Sequence, residues 1–350
     1  MNETPKVLLV IITYNAAEYL GDCLSSVARA RYPRESFKVL VVDNGSTDGS
    51  VDFIRTNFSD VEVIVNEKNF GFAGGNNVGM RYAIDHNFDY VYLLNQDTVV
   101  DADFINEVVA EARTDARIGA VQSKLLLHDK PELLNSRGNM IHYLGFAFAG
   151  GYLERDRPLK VSEIAYASGA SCLLSVSALK EVGLFNDSFF MYHEDTDLGW
   201  RLWLSGRRVT LAPKSVVYHK YEFSKSIKKY YFMERNRYLV LLQNYKLPTL
   251  LLISPALLAM DFAMVVYAMR SGWWREELAA CNYFFYPKSW RSILAARRHV
   301  QKKRRVKDRD VIRRFTGKIE FQDLPNPLLQ HIGNPIFNGY WQLVKRIIWW

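Results

Sequence analysis

The feature that most constrains this chain is an alternation in its first 130 residues. Short apolar runs take turns with amphipathic segments of helical length. Residues 7–13 precede 17–30, 37–42 precede 50–58, 61–65 precede 75–86, and 90–94 precede 103–114. Strands read as continuous apolar runs where both faces are covered, so the pattern predicts βαβ units and a mainly parallel α/β sheet flanked by helices. Right-handed crossovers bring the loops after the strands to one sheet edge, where α/β folds take ligands. From about 118 to 175 the pattern changes to short β-like runs rich in glycine and aromatics, which predicts mixed or antiparallel strands extending the sheet. Residues 195–205 read as a helix stopped by Gly206. From about 225 the chain is helix-prone, aromatic and basic. The expected division is an α/β domain over 1–240 and a helical, aromatic and polybasic extension over 241–350.

Charge narrows the partner. Ten Lys or Arg and two acids lie between Arg297 and Arg314, so this stretch carries +8, the formal charge of the whole chain. A neutral body with one cationic segment argues against a uniformly nucleic-acid-binding surface. Residues 249–269 are apolar except for Asp261, contain Pro255, and are followed by Trp273, Trp274 and Trp290. The window is long enough to span a bilayer. A single span would separate the catalytic part from the cationic segment, and both belong on the cytoplasmic side. The expectation is therefore an interfacial or re-entrant placement on an anionic membrane surface. The bland alternatives are a core helix pair broken at Pro255 and a solvated basic helix face. A polybasic membrane-scaffold or nucleic-acid-binding protein is the alternative of another class. Cys23, Cys172 and Cys281 are odd in number and without CxxC spacing, which argues against a disulfide framework or thiolate zinc site and suits a reducing cytosol. The run 7–12 is too short, and lacks the flanks, for a signal peptide.

Polar clusters stand where apolar runs end. Asp43 closes one run and opens Asn44-Gly45-Ser46-Thr47-Asp48-Gly49-Ser50. A carboxylate there suits a ribose hydroxyl or base N–H, while Asp48 or Ser50 suits a helix cap. The glycine-rich stretch 69–79 opens a helix, and its N–H groups suit anionic oxygens, with a flexible turn as the bland alternative. It matches neither a dinucleotide fingerprint nor a P-loop. Asn95-Gln96-Asp97 follows another run, and Asp97 suits a hard divalent cation. His193-Glu194-Asp195-Thr196-Asp197 places three carboxylates at a helix start, where the dipole favours the charged form wanted in a general base. His219 ends a further apolar run and reads as structural unless a metal site is already indicated.

Taken in order, these clusters resemble glycosyltransferase family 2, inverting nucleotide-sugar enzymes of the GT-A fold, and within it the rhamnosyltransferase-like branch. The marks are Val-Ile-Ile-Thr-Tyr-Asn (10–15), Val-Asp-Asn-Gly-Ser-Thr-Asp-Gly (42–49), residues 69–79, Leu-Asn-Gln-Asp (94–97), His-Glu-Asp-Thr-Asp-Leu-Gly-Trp-Arg (193–201) and His219, covering about 5–240. The resemblance implies that Thr13, Asn15, Asp43, Asn76, Asn77, Gln96 and Asp97 bind the nucleotide sugar. It implies Asp195 as catalytic base, and Asp97 and His219 as ligands of Mg2+ or Mn2+. Asn95 stands where many relatives carry Asp, which brings a weaker, uncharged ligand. The implied reaction moves a sugar, rhamnose first among the guesses, from a UDP- or dTDP-sugar to a hydroxyl of a lipid-linked saccharide in surface polysaccharide synthesis. Transfer to a polyprenyl phosphate is the alternative acceptor. The expected location is cytoplasmic, peripheral on the inner membrane face, with Ile347–Trp350 available to lipid or to a second copy in a homo-oligomer.

Overall fold

The computed structural model describes residues 3–221, 228–320 and 327–350. The alternation becomes β1 (Val7–Thr13), α1 (Ala17–Ala28), β2 (Phe37–Asp43), α2 (Ser50–Asn57), β3 (Glu62–Val65), α3 (Gly71–Asp85), β4 (Tyr90–Asn95), β5 (Thr98–Val100) and α4 (Phe104–Ala112). Then follow β6 (Ile118–Leu127), β7 (Leu134–Ser136), β8 (Asn139–His142), β9 (Ala147–Ala149), β10 (Ser162–Glu163), β11 (Ser171–Ser175), α5 (Val176–Val182), α6 (Glu194–Leu204) and β12 (Arg208–His219). The remainder is α7 (Lys228–Asn244), α8 (Leu247–Ser271), α9 (Trp274–Tyr283), α10 (Pro287–Lys303), α11 (Asp308–Val311), β13 (Phe315–Thr316) and α12 (Asn334–Ile347).

The main sheet runs β10-β12-β6-β11-β4-β1-β2-β3, with β5 added on β12 and β7 on β6. Its βαβ half, β4-β1-β2-β3, is parallel, and β11 enters antiparallel between β4 and β6. The sheet is thus mixed beyond residue 118, as the change of pattern there predicts. β1 is buried along its whole length. Leu9 and Ile11 face Leu20 and Leu24 of α1 and Phe104 and Val108 of α4 in one core. On the other face α3 lies unusually close. A Cβ on Gly75 would sit 2.1 Å from Ile12 Cδ1, and one on Gly79 2.4 Å from Val10 Cγ1.

The chain divides into two compact units. One holds the chain up to Asn139 with Ala149–Leu202 and β12; the other holds Met140–Phe148, Trp203–Gly206 and the chain beyond β12. The division is not a single cut, and residue 240 lies inside α7.

The second unit pairs the small sheet β13-β8-β9 with α7 to α12. Arg237 of α7 is fully buried. It donates to Glu234 at 2.8 Å, to Asp261 at 2.9 Å and to the Leu144 carbonyl at 3.2 Å. The carbonyls left open at the end of α7 are taken by α10 and the turn after it. Arg297 reaches Leu242 O and Tyr245 O, Gln301 reaches Gln243 O and Asn244 O, and Arg304 reaches Asn244 O while pairing with Asp308. Arg314 stacks on Trp203 at 3.5 Å. Three arginines of the cationic segment, Arg297, Arg304 and Arg314, therefore serve as internal caps and packing rather than as surface charge. Helix α8 also runs unbroken through Pro255. The proline leaves the Leu251 carbonyl without its usual donor, and Ser254 Oγ donates to it instead at 2.8 Å.

Candidate active site

The carboxyl ends of β2, β1 and β4 lie beside the amino end of β11. Thr13 and Asp43 are register partners on β1 and β2, Asn95 of β4 pairs with Ile12 of β1, and Asn95 N donates to Ala170 O at the entry to β11. Asp43 Oδ2 accepts from Gly45 N at 3.0 Å and Ser46 N at 2.9 Å. Its Oδ1, Thr13 Oγ1 and Asn95 Oδ1 are buried and have no hydrogen-bond partner. Buried polar atoms are normally satisfied, and each one left open costs about 1–3 kcal/mol. Three on adjoining strand ends mark a row shaped for groups supplied from outside the chain.

The loops around this row are pinned. Asn15 takes a left-handed backbone, φ 47°, that lets its N–H reach Ser46 Oγ at 2.9 Å and its Oδ1 accept from Thr47 N at 2.8 Å. Gly49 is the N-cap of α2, not Asp48 or Ser50. Asp48 instead accepts from both Ala17 N and Ser50 N, joining the two loops. Gln96 Oε1 accepts from Tyr14 N at 3.2 Å.

The glycine-rich stretch differs from an anion cradle: Gly75 and Gly79 lie inside α3 and permit its contact with β1, while Gly71 and Gly74 pack against Phe190 and Phe70. The N–H groups at its start are used internally: Gly71 N donates to Asn69 Oδ1 and Ala73 N to Phe190 O. Asn76 and Asn77 are buried. Asn76 Nδ2 donates to Phe72 O at 2.9 Å. Asn77 Nδ2 donates to Phe185 O at 2.8 Å and Asp187 Oδ1 at 2.5 Å, while its Oδ1 accepts from Phe185 N at 3.0 Å. Both amides are turned to internal partners.

These bonds hold the segment that leads into Asp195. Gly71 packs so tightly on that segment that a Cβ would lie 2.4 Å from Phe190 O. Phe190, Tyr192 and His193 all have positive φ, at 63°, 65° and 69°. Three such residues in four are backbone strain held by surrounding contacts. From the other side Arg201, buried and paired with Asp197 at 2.7 Å, donates to Val182 O, Gly183 O and Leu184 O. Asp197 and Arg201 thus build the frame and leave Asp195 as the carboxylate at the site.

Asp195 is half-buried and lines a small void with Cys172, Leu174, Phe185 and Leu198. It accepts from Thr196 N at 2.7 Å and Gly169 N at 3.3 Å. Loss of water outweighs these bonds and pushes its carboxyl up to about 6. Its neighbour Glu194 is buried and pushed well above the carboxylate range, by desolvation first and then by the charge of Asp195.

His219, ending β12, faces Asp97. His219 Nε2 lies 3.3 Å from Asp97 Oδ1. Its Nδ1 lies 3.0 Å from Asn135 Oδ1, a contact that requires Nδ1 to be the donor with the amide so oriented. An imidazole nitrogen thus stands beside a carboxylate oxygen. A divalent cation fits that arrangement. Among the described residues no cluster of three or more His, Cys, Asp or Glu is arranged to hold a metal. Asn135 and Gly169 carried no signal in the sequence. The amide clasp of Asn66 Nδ2 on Asn44 Oδ1 and Asn44 Nδ2 on Gly71 O was equally hidden.

Comparison with known proteins agrees with the architecture. Residues 8–183 match the model of "Glycosyl transferase family 2". The chain is 26% identical over 218 residues to poly-beta-1,6-N-acetyl-D-glucosamine synthase of Staphylococcus aureus (strain COL), covering 61% of this chain and 49% of that protein. It is 27% identical over 213 residues to the synthase of Staphylococcus epidermidis, covering 60% and 48%. The chain thus spans about half the length of these curated relatives. Among solved structures it is similar to the mannosyltransferase PcManGT of Pyrobaculum calidifontis with GDP-Man and Mn2+, at TM-score 0.52, 16% identity and coverage of 86% and 87%. It is similar to Staphylococcus aureus TarS 1-349 with UDP, at TM-score 0.51, 16% identity and coverage of 97% and 90%. At such identity these structures speak for the fold, a GT-A-like mixed sheet flanked by helices. The family match spans just over half the chain, and the chain belongs to glycosyl transferase family 2.

Proposed function

We propose that this enzyme transfers a sugar with inversion from a UDP- or dTDP-sugar to a hydroxyl of a lipid-linked saccharide, in surface polysaccharide synthesis at the cytoplasmic membrane face. The observation that carries the reading is the row of unpartnered atoms on Thr13, Asp43 and Asn95, continued along the sheet edge to Asp195. Asp43 and Thr13 accept from the base or ribose. Asn15 and Gln96 hold the loops at that site. Asn77 is a positioning residue that keeps the segment before Asp195 in place, and Asn76 braces the same helix.

Asp195 is the general base. Raised to about 6, it is ionised at neutral pH yet basic enough to take a proton. The acceptor oxygen bonds to the anomeric carbon as the bond from that carbon to the diphosphate oxygen breaks. The acceptor proton goes to Asp195, and the nucleoside diphosphate leaves. Asp97 and His219 would hold Mg2+ or Mn2+, which when bound offsets charge on the diphosphate.

Asp195→Asn should lower kcat by about a thousandfold, within the range of general-base catalysis, and leave UDP binding within about twofold. Wild-type-like turnover would remove Asp195 from this role. EDTA should abolish turnover and added Mn2+ or Mg2+ restore it; unchanged activity would free Asp97 and His219 from metal binding. The donor is decided by screening: dTDP-rhamnose turnover supports the rhamnosyltransferase-like branch. UDP-N-acetylglucosamine turnover places the enzyme nearer to what the staphylococcal relatives are named for.

A further inference from the structure

The second unit exposes an apolar surface that transfer chemistry does not use. Helix α8 is 25 residues long and apolar enough to cross a membrane, and only 22% of its most apolar window is buried. Its exposed side chains form one stripe. Leu251, Leu258, Phe262 and Met269 are 73%, 70%, 75% and 67% exposed. At about 100° per residue they fall within about 40° of one another. The neighbouring α12 repeats the device with Ile336, Leu343 and Ile347. The two helices are joined by Tyr340 Oη donating to Leu252 O at 2.5 Å and Trp350 Nε1 donating to Thr249 Oγ1 at 2.9 Å. Single exposed leucines are ordinary on a protein surface; stripes running the length of adjoining helices are not.

Charge identifies the partner. The one acid of α8, Asp261, is turned inward to Arg237 at 2.9 Å. Along 247–303 the exposed Lys and Arg are Arg270, Arg275, Lys288, Arg291, Arg298 and Lys302, while of the acids Glu277 is buried and Asp261 and Glu276 are part-buried. Trp274, Tyr286 and Trp290 are also exposed, an amphipathic set suited to headgroup depth. An apolar stripe in a unit whose exposed charges along 247–303 are cationic complements an anionic lipid surface.

Topology excludes a simple crossing. Helix α7 before α8 packs against both α9 and α10 after it. The two ends of α8 are therefore held within one folded unit, and a single span would pull that unit apart.

We infer that the exposed face of α8, joined by α12, lies in the surface of an anionic bilayer as an in-plane anchor. The inference goes beyond the transfer reaction and does not depend on it. The test is co-sedimentation of the full chain with phosphatidylcholine vesicles, with or without phosphatidylglycerol. The protein should sediment with anionic vesicles and be released at high salt. Leu258→Glu with Phe262→Glu should leave the protein in the supernatant, with thermal stability and donor hydrolysis unchanged. Lys288→Gln with Arg291→Gln should weaken binding to anionic vesicles by more than about tenfold, at about fivefold per cation. Wild-type protein staying in solution with anionic vesicles would overturn the inference. So would sedimentation of the Leu258/Phe262 variant, or a wild-type dimer lost in that variant while neither binds vesicles.

Discussion

The two units put buried charge to different uses. In the second, the buried cations are satisfied from within: Arg237 by two carboxylates and a carbonyl, Arg304 by Asp308 and the end of α7. In the first, buried acceptors at the sheet edge are left open on Thr13, Asp43 and Asn95, and a carboxylate pair is driven up by desolvation. Charge density in sequence points to the second unit, which also leaves buried polar atoms open on Trp273, Glu277 and Trp341; what marks the first is that its open acceptors stand together on adjoining strand ends. Chemistry belongs where the fold tolerates the cost of an open group; saturated ion pairs belong to architecture.

Removing a saturated partner tests the architectural side hardest. Arg237→Ala leaves Glu234 and Asp261 without their cation and should destabilise the fold by about 3–5 kcal/mol in thermal or urea unfolding. Turnover at permissive temperature should survive. Lost turnover with unchanged unfolding would undo the contrast between the units.

The catalytic side should answer with the opposite sign. The Asp195 carboxyl lies above its unfolded value, so the folded state favours the protonated form. That contribution is complete below the unfolded value and is lost as pH rises through about 6. Asp195→Asn should therefore stabilise the protein at pH 8, on the order of 2 kcal/mol, with the gain fading below about pH 4. Differential scanning calorimetry across pH reads this directly. The same value predicts an acid limb near pH 6 in wild-type kcat/KM. A flat profile between pH 5 and 8 would separate the base from Asp195.

The smallest effect sharpens the contrast within the first unit. Asn77→Ala frees the segment before Asp195 while leaving Asp43 and Thr13 in place. It should cut kcat roughly tenfold with little change in donor KM. A raised donor KM at unchanged kcat would assign Asn77 to donor binding instead.

The strand and helix pattern was legible because periodicity is local. β1 matches its apolar run residue for residue, and the paired helices fall within about four residues of expectation. The polar strand ends were legible for the same reason. Asn69–Gly79 was not, because glycine reads alike as a ligand loop or as a close contact, and only Ile12 and Val10 on β1 decide between them. Asn77 could be placed on a helix but not assigned partners 108 residues away. The basic segment misled for a related reason: formal charge is visible in sequence, whereas the α7 carbonyls that absorb Arg297 and Arg304 are not.

The sequence alone determined the alternating α/β framework, the order of the motifs and the family, since each follows from short-range pattern. Tertiary structure decided which polar groups remain open. That property depends on partners distant along the chain, and it separates Asp43 and Asp195 from Asp197, Arg237 and Arg304, which sequence shows only as charges.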